Sequence, residues 1–378
     1  MQARSGTASG TFTVVHTESS KGWGGQENRV LHESIGLKKL GARVLILCQP
    51  DSRLALRAQE NGIEVRAVKM RKSFDLGAIW QIMRVIREER VDVVNTHSGR
   101  DSILAGIAAR LSRLKPVIVR TRHLALPITS KFTYSVLPHQ VVTVSEYVRQ
   151  YLIGLGIRED HITAVPTGVD LSRFDPMTEA GTLKRELNLD ANSPLVGTIA
   201  ILRFKKGHHV LLEAIPQILE AVPDAIFVFA GDGPQHENIA QVIGEKNLGS
   251  HVLLLGLRRD VPNVLKSIDL FALPTLEEAL GTAFVEAMAM EKPVIGTRVG
   301  GVPEVVHEGE NGLLVNPGDP TGLANAIIRL LGNPGLAKSM GQQGRTIATT
   351  EFTVDRMCLR MHALYKTLLH TRAGSYEH

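Results

Sequence analysis

Short runs rich in Val, Ile and Leu recur along the chain, and between them lie longer stretches whose apolar residues return every three to four positions. This alternation predicts parallel strands joined by crossover helices. In the first half the strand runs are Thr11 to Thr17, Arg43 to Cys48, Ile63 to Val68, Val91 to Thr96, Val117 to Thr121 and Gln140 to Val144. In the second they are Leu195 to Ile201, Ala225 to Ala230, Val252 to Leu255, Asp269 to Leu273, Pro293 to Gly296 and Leu313 to Val315. Two α/β domains with doubly wound parallel sheets are expected, over residues 1–175 and 190–353. Pro166 to Pro194 holds turn residues and a short polar helical stretch near Leu183 to Leu189, which marks the joint. A last helical pattern, Val354 to His370 within residues 354–378, is expected to pack back on the first domain.

Composition narrows this picture. The chain has 378 residues, 43 % hydrophobic and 21 % charged, with 35 Gly, 17 Pro and 2 Cys, which excludes a disordered or collagen-like protein. Cys48 and Cys358 are too few for a disulfide framework and have no zinc-ligand spacing. Met1 to Gly10 lacks the apolar core of a signal peptide, and no uncharged apolar run reaches the ~18–20 residues that span a bilayer. A cytoplasmic protein is expected.

The net charge of +5 is unevenly placed. Residues 1–170 carry 24 Lys/Arg against 15 Asp/Glu, and the remainder 19 against 23. A basic half suits nucleic acid, an anionic membrane or a phosphorylated substrate. Aromatic residues make up only 4 % of the chain and no stacking module is recognisable, so nucleic acid is set aside.

In open α/β sheets ligands bind beyond the carboxyl ends of the strands, which directs attention to the residues that follow each run. After the first comes Gly22-Trp23-Gly24-Gly25-Gln26-Glu27, glycines that lead into a helix N-terminus. Glu27 stands where a dinucleotide fingerprint needs its third glycine, and a plain flexible turn is the competing reading. The fourth and fifth runs end in Asn95-Thr96-His97 and Arg120-Thr121-Arg122-His123. Each histidine suits either a structural hydrogen bond or catalysis.

The second half opens with Arg203-Phe204-Lys205-Lys206-Gly207-His208, cations at a strand-to-helix turn that suit a diphosphate or merely face solvent. Between Ala283 and Met290 every residue except Glu286 is apolar, as in a helix buried nearly all round, so that carboxylate needs a partner. Glu278 precedes the helix and Gly281-Thr282 begins it, an anion site flanked by two carboxylates, with structural salt bridges as the alternative. Gly231-Asp232-Gly233-Pro234 and Gly300-Gly301-Val302-Pro303 repeat the glycine-rich turn that a nucleotide diphosphate requires and that ordinary α/β loops also use. No two aspartates are separated by one residue, so no Asp-x-Asp pair is available for a divalent metal.

These motifs, with "VVTVSEYVRQYL", "VPTGVDLSRF", "KGHHVLLEA", "AGDGP" and "EALGTAFVEAMAMEKPVIGTRVGGVPEVV", give the chain a close resemblance to the family 4 retaining glycosyltransferases. "NTHSGRDS" and "VRTRH" are most similar to members that build lipopolysaccharide or other surface glycans. The resemblance implies the GT-B fold, with two Rossmann-like domains facing a central cleft. It assigns Glu286 to the ribose hydroxyls of a nucleotide donor and Gly25 to close approach. Glu278 and the backbone at Leu280, Gly281 and Thr282 would hold the donor sugar and phosphates.

Lys206 matches the cation on the diphosphate, and His123 the histidine near the donor sugar; His97 would suit the acceptor side. Where many members carry a second phosphate-binding arginine this chain has Ile201, and Arg203 is expected to substitute. The resemblance further implies transfer with retention from a UDP- or GDP-linked sugar to a glycan or lipid-linked acceptor, with no metal and no other cofactor. Arg66, Lys69, Arg71 and Lys72, ahead of the apolar-rich helix after Phe74, suit either a solvated loop over a core helix or contact with an anionic membrane. A sugar-nucleotide epimerase or hydrolase of the same fold, and a non-catalytic sugar-nucleotide-binding subunit, are the competing functions.

Overall fold

In the computed structural model, which describes residues 11–124 and 126–374, the chain forms two compact units. The first runs to Gly168 and resumes at Val354; the second is continuous from Val169 to Thr353. Met1 to Gly10, expected to hold no signal sequence, and the last four residues of the 354–378 segment lie outside the described residues.

The first sheet has seven parallel strands, β1 (Thr13–Glu18), β2 (Arg43–Cys48), β3 (Glu64–Ala67), β4 (Val93–Thr96), β5 (Val117–Arg122), β6 (Gln140–Thr143) and β7 (Ile162–Ala164). Their order is 3-2-1-4-5-6-7. Its helices are α1 (Gly25–Lys39), α2 (Arg53–Glu60), α3 (Leu76–Glu88), α4 (Gly99–Leu111), α5 (Phe132–Ser135) and α6 (Glu146–Gly154).

The second unit carries α7 (Leu183–Glu186), α8 (His208–Ala221), α9 (His236–Glu245), α10 (Val261–Ser267), α11 (Thr282–Ala289), α12 (Pro320–Leu331) and α13 (Pro334–Glu351). Its six strands are β8 (Leu195–Ile199), β9 (Ile226–Ala230), β10 (Val252–Gly256), β11 (Leu270–Ala272), β12 (Val294–Thr297) and β13 (Gly312–Val315), in the order 10-9-8-11-12-13. A final helix, α14 (Val354–Gly374), returns to the first unit.

Alternate residues of the first sheet face two cores. Leu45, Leu47, Val94 and Ile118 pack with α3 and α4, while Val14, Val44, Val93 and Val119 pack with Leu37 of α1 and with Met357, Cys358, Met361 and Tyr365 of α14. Gly36 makes this second contact possible: a Cβ there would sit 2.3 Å from Cys358 Sγ. Helix α3 starts at Asp75, whose carboxylate accepts from Ala78 N at 3.0 Å, and buries Ala78, Ile79, Ile82 and Ile86. Its outer side leaves Phe74, Leu76 and Trp80 exposed by 76, 82 and 62 %, beside the exposed Lys69, Arg71 and Lys72.

Two features differ from the sequence reading. Strand β7 was not anticipated, because three residues at a sheet edge, with only Ile162 buried, give no periodic signal. The expected boundary at 175 and joint up to 190 are also displaced, since residues after Gly168 are built into the second unit. Val169 bridges Thr353, Lys266 Nζ donates to Pro176 O at 2.8 Å, and Leu183 is fully buried.

In each sheet the crossovers change direction once, between β1 and β4 and between β8 and β11. At such switch points the loops diverge and leave a crevice at the carboxyl edge.

Candidate active site

At the switch point of the second sheet, Lys206 follows β8 and Glu278 follows β11. Lys206 Nζ donates to Glu278 Oε2 at 2.5 Å, and both side chains are 16 % exposed. Glu278 Oε1 also accepts from Ala279 N at 3.1 Å. Gly207, at φ +73°, lets this turn press on the next loop, where a Cβ would lie 1.8 Å from Pro274 O.

The glycine pair after β12 has a structural duty. Gly301 N donates to Glu278 O at 3.1 Å, and a Cβ on Gly300, at φ +55°, would sit 1.8 Å from that oxygen. Gly231 and Gly233 likewise abut the backbone of Ala200 and Leu202. These four glycines, which the sequence left open between a diphosphate turn and an ordinary α/β loop, pack loop against loop.

Leu280 is buried and Gly281, at φ +99°, caps α11. The N–H groups of Leu280, Gly281 and Thr282 donate to no described residue, which leaves an N-terminal cluster of donors beside Glu278. The helix is buried nearly all round, as expected. Phe284, Val285, Ala287, Met288 and Ala289 face the core, while Thr282 and Glu286, one turn apart, share a half-buried strip. The Glu286 carboxylate has no hydrogen bond or ion pair among the described residues. Burial pushes its carboxyl up to about 7, offset in part by the charge of Arg173.

Arg203 is exposed with no ion pair among the described residues, and Ile201 is 44 % exposed. Lys206 is thus the side-chain cation held against Glu278, and Arg203 lines a small cavity with Phe204, His208 and His209. His208, buried against Phe229, has both ring nitrogens unpartnered. Burial and the Lys206 charge push it down to about 4.

In the first unit Gly25 opens α1, and a Cβ there would meet nothing within 4 Å, so the fold itself does not require glycine at this position. Just before it, Glu18 is fully buried and accepts from Ser20 N at 2.8 Å and Gln26 Nε2 at 2.5 Å, which ties down the loop. Burial and the neighbouring Asp101 push Glu18 up to about 8.

His97 and His123 do meet, and a third histidine that the sequence did not single out joins them. His97 Nδ1 lies 2.9 Å from His123 Nε2, and His97 Nε2 lies 2.9 Å from Nδ1 of His16 on β1. Both ring nitrogens of His97 are therefore engaged, and neither remains for an acceptor. Glu33 follows at 4.0 Å from His16 Nε2, paired with Arg29 at 3.5 Å and accepting from Tyr365 Oη at 2.9 Å. Asn95 Nδ2 donates to Tyr365 Oη at 2.8 Å. Arg120 lies over the Tyr134 ring at 3.9 Å.

The sequence signal for this network was a polar residue at the end of an otherwise apolar strand, in "VVHT" and "VVNTH". A cavity of about 570 Å³ in this unit lies at the opposite sheet edge, among Arg87, Arg90, Lys115 and Arg372, away from these groups.

Comparison with known proteins agrees over both units. The model of the family described as "Glycosyltransferase Family 4" matches residues 23–173, and that described as "Glycosyl transferases group 1" matches residues 180–347. The UDP-Gal:alpha-D-GlcNAc-diphosphoundecaprenol alpha-1,3-galactosyltransferase of Escherichia coli is 30 % identical over 273 residues, 68 % of this chain and 70 % of that one. A glycosyltransferase from Rickettsia africae ESF-5 superposes with a TM-score of 0.87 at 24 % identity, covering 95 % of this chain and 99 % of its own. Anabaena Alr3699/HepE, solved with UDP-glucose, gives 0.83 at 21 % identity, covering 94 and 99 %.

Proposed function

The chain belongs to the family 4 glycosyltransferases, with two Rossmann-like domains of the GT-B type, and from that premise we propose that it moves a sugar, with retention, from a nucleotide-diphosphate donor to a glycan or lipid-linked acceptor in surface-polysaccharide synthesis. The observation that carries the donor side is the cluster at the β8/β11 switch point, where Lys206, Glu278, the free N–H groups of residues 280–282 and the unpartnered Glu286 converge. Glu286 accepts the ribose hydroxyls. Lys206 and the start of α11 hold the diphosphate, and Glu278 with the backbone of Leu280 to Thr282 binds sugar and phosphate oxygens. Gly25 gives close approach, His123 contacts the donor sugar, and Arg203 assists the leaving group from a longer reach.

In the reaction the bond from the anomeric carbon to the phosphate oxygen breaks as the acceptor oxygen bonds to that carbon on the same face. The acceptor's hydroxyl proton passes to the departing diphosphate. Lys206 and helix N-termini stabilise the charge that develops there, with no metal invoked. The E. coli relative acts on a diphosphoundecaprenol-linked sugar, and the Anabaena protein holds UDP-glucose. Both support a UDP-sugar and a lipid-linked acceptor as first candidates.

Phe74, Leu76 and Trp80, exposed beside Lys69, Arg71 and Lys72, support contact of the first unit with an anionic bilayer, where aromatic side chains enter the interface and cations meet headgroups.

A panel of nucleotide sugars screened by thermal shift, then turnover on polyprenyl-diphosphate-linked sugars with the product's anomeric configuration read by NMR, tests the reading. An acceptor-dependent product of retained configuration is expected. An inverted product refutes retention. Free sugar or an epimer formed without acceptor points to a hydrolase or epimerase, and donor binding without turnover to a non-catalytic subunit.

A further inference from the structure

Three imidazoles in the first unit are joined in line: His16 to His97 and His97 to His123, each through one Nδ1 and one Nε2 at 2.9 Å. All three are buried, and the last has the greatest exposure, at 8 % against 0 and 3 %. Burial pushes all three below the usual histidine value, which keeps them neutral.

Three neutral rings place three protons on six nitrogens. Each of the two contacts uses one proton, because one ring must donate and the other accept. The third proton sits at an end, on His16 Nε2 or on His123 Nδ1. Where it sits sets the direction of the whole chain.

The surroundings decide between the ends. His16 Nε2 has no hydrogen-bond partner and faces Glu33 Oε1 at 4.0 Å. A lone pair there would oppose a carboxylate oxygen; an N–H there is attracted to it. Other donors also converge on that carboxylate, with Tyr365 Oη of α14 at 2.9 Å and Arg29 of α1 at 3.5 Å. On β5 the cations Arg120 and Arg122, and on α1 Arg29, lie toward His123 and disfavour an added proton on it. From α4, Asp101 takes the backbone N–H of His97 at 2.8 Å and leaves its ring alone.

We propose that His16 and His97 are positioning residues, and that with Glu33 they hold His123 as the Nε2–H tautomer, its Nδ1 lone pair facing out at the carboxyl edge of the first sheet. His16 donates toward Glu33, His97 donates to His16, and His123 donates to His97. The outer nitrogen of His123 accepts a hydrogen bond and cannot give one. Its ligand is a hydroxyl, which rests on the reading above that His123 meets the donor sugar. Cooperative polarisation along the chain strengthens that acceptor.

Long-range ¹H–¹⁵N spectra of the protein labelled on histidine nitrogen, without donor, test the tautomer. The His123 signals are assigned by their loss in His123→Gln. Expected in the wild type are a protonated Nε2 and an unprotonated Nδ1 on His123. In Glu33→Gln an amide N–H can face His16 Nε2, and the chain reverses, moving the proton to His123 Nδ1. A protonated Nδ1 in the wild type, or no reversal in a folded Glu33→Gln, overturns the proposal; the wild-type spectrum decides it alone if that variant does not fold.

Turnover separates the two readings. With the tautomers as expected, Glu33→Gln lowers kcat/KM roughly ten- to a hundredfold, while affinity for the sugar-free nucleoside diphosphate stays level. If the tautomers reverse but kcat/KM does not change, the tautomer assignment stands and the contact between His123 and donor sugar is refuted.

Discussion

Replacing Glu286 by Gln keeps the side chain's volume and removes a charge that has no partner. Burial raises this carboxyl from 4.5 to about 7, so the fold favours its neutral form. At roughly 1.4 kcal/mol per pH unit, the ionised form costs about 3 kcal/mol at most, and less to the extent that water reaches it. The sign follows. Wild-type stability from this group is complete below pH 4.5 and is lost as pH rises through 7, whereas Glu286→Gln loses nothing.

The two proteins should therefore unfold alike near pH 4.5 and separate by about 3 kcal/mol at pH 8, with the variant the more stable. For a unit of this size that is roughly 6–12 °C in Tm, read by calorimetry at pH 5, 6, 7 and 8. The same substitution should weaken the nucleotide, because ribose hydroxyls donate to the ionised carboxylate. Wild-type affinity should rise with pH toward 8, up to about tenfold per unit below 7; the variant's should be weak and flat. An equal Tm difference at every pH, or a variant less stable at pH 8, refutes the argument.

Two glycines should part company: Gly300→Ala meets Glu278 O and should cost about 2–4 kcal/mol in denaturant unfolding. Gly25→Ala meets nothing within 4 Å and should stay within about 0.5 kcal/mol of wild type while losing activity. Lys206→Met should lower kcat about 10²–10³-fold and destabilise by leaving Glu278 uncompensated; adding Glu278→Gln should restore Tm but not turnover, as measured by melting and a product assay. Phe74→Ser with Trp80→Ser should reduce sedimentation with anionic vesicles about tenfold or more, and added salt should weaken the wild-type binding; unchanged sedimentation in both would discard the membrane reading.

The sheet strands were legible because buried parallel strands read as continuous apolar runs. Strand β7 escaped because Ile162, Thr163 and Ala164 make too short a run to show a period. In the site, Glu278 and Glu286 stood out as carboxylates beside or within an apolar helix. The Lys206–Glu278 bond, across 72 residues, and the His16–His97 contact, across 81, depend on strand order. Nothing local records that order, so His16, Arg29, Glu33 and Tyr365 were not singled out. At Gly300 and Gly301 the sequence left a ligand turn and an ordinary loop both open, because close approach to a ligand and to another loop require the same residue, and the contact with Glu278 O is visible only in the fold.

The return of α14 to the first unit has a consequence during synthesis. Residues 169–353 are made between the two parts of that unit, and at about 5–20 residues per second this takes roughly 10–40 s. Through that interval the apolar face formed by Val14, Leu37, Val44 and Val119 waits without Met357, Met361 and Tyr365. The second unit is continuous and can complete first, so the nascent first unit is the one that most needs a chaperone's cover.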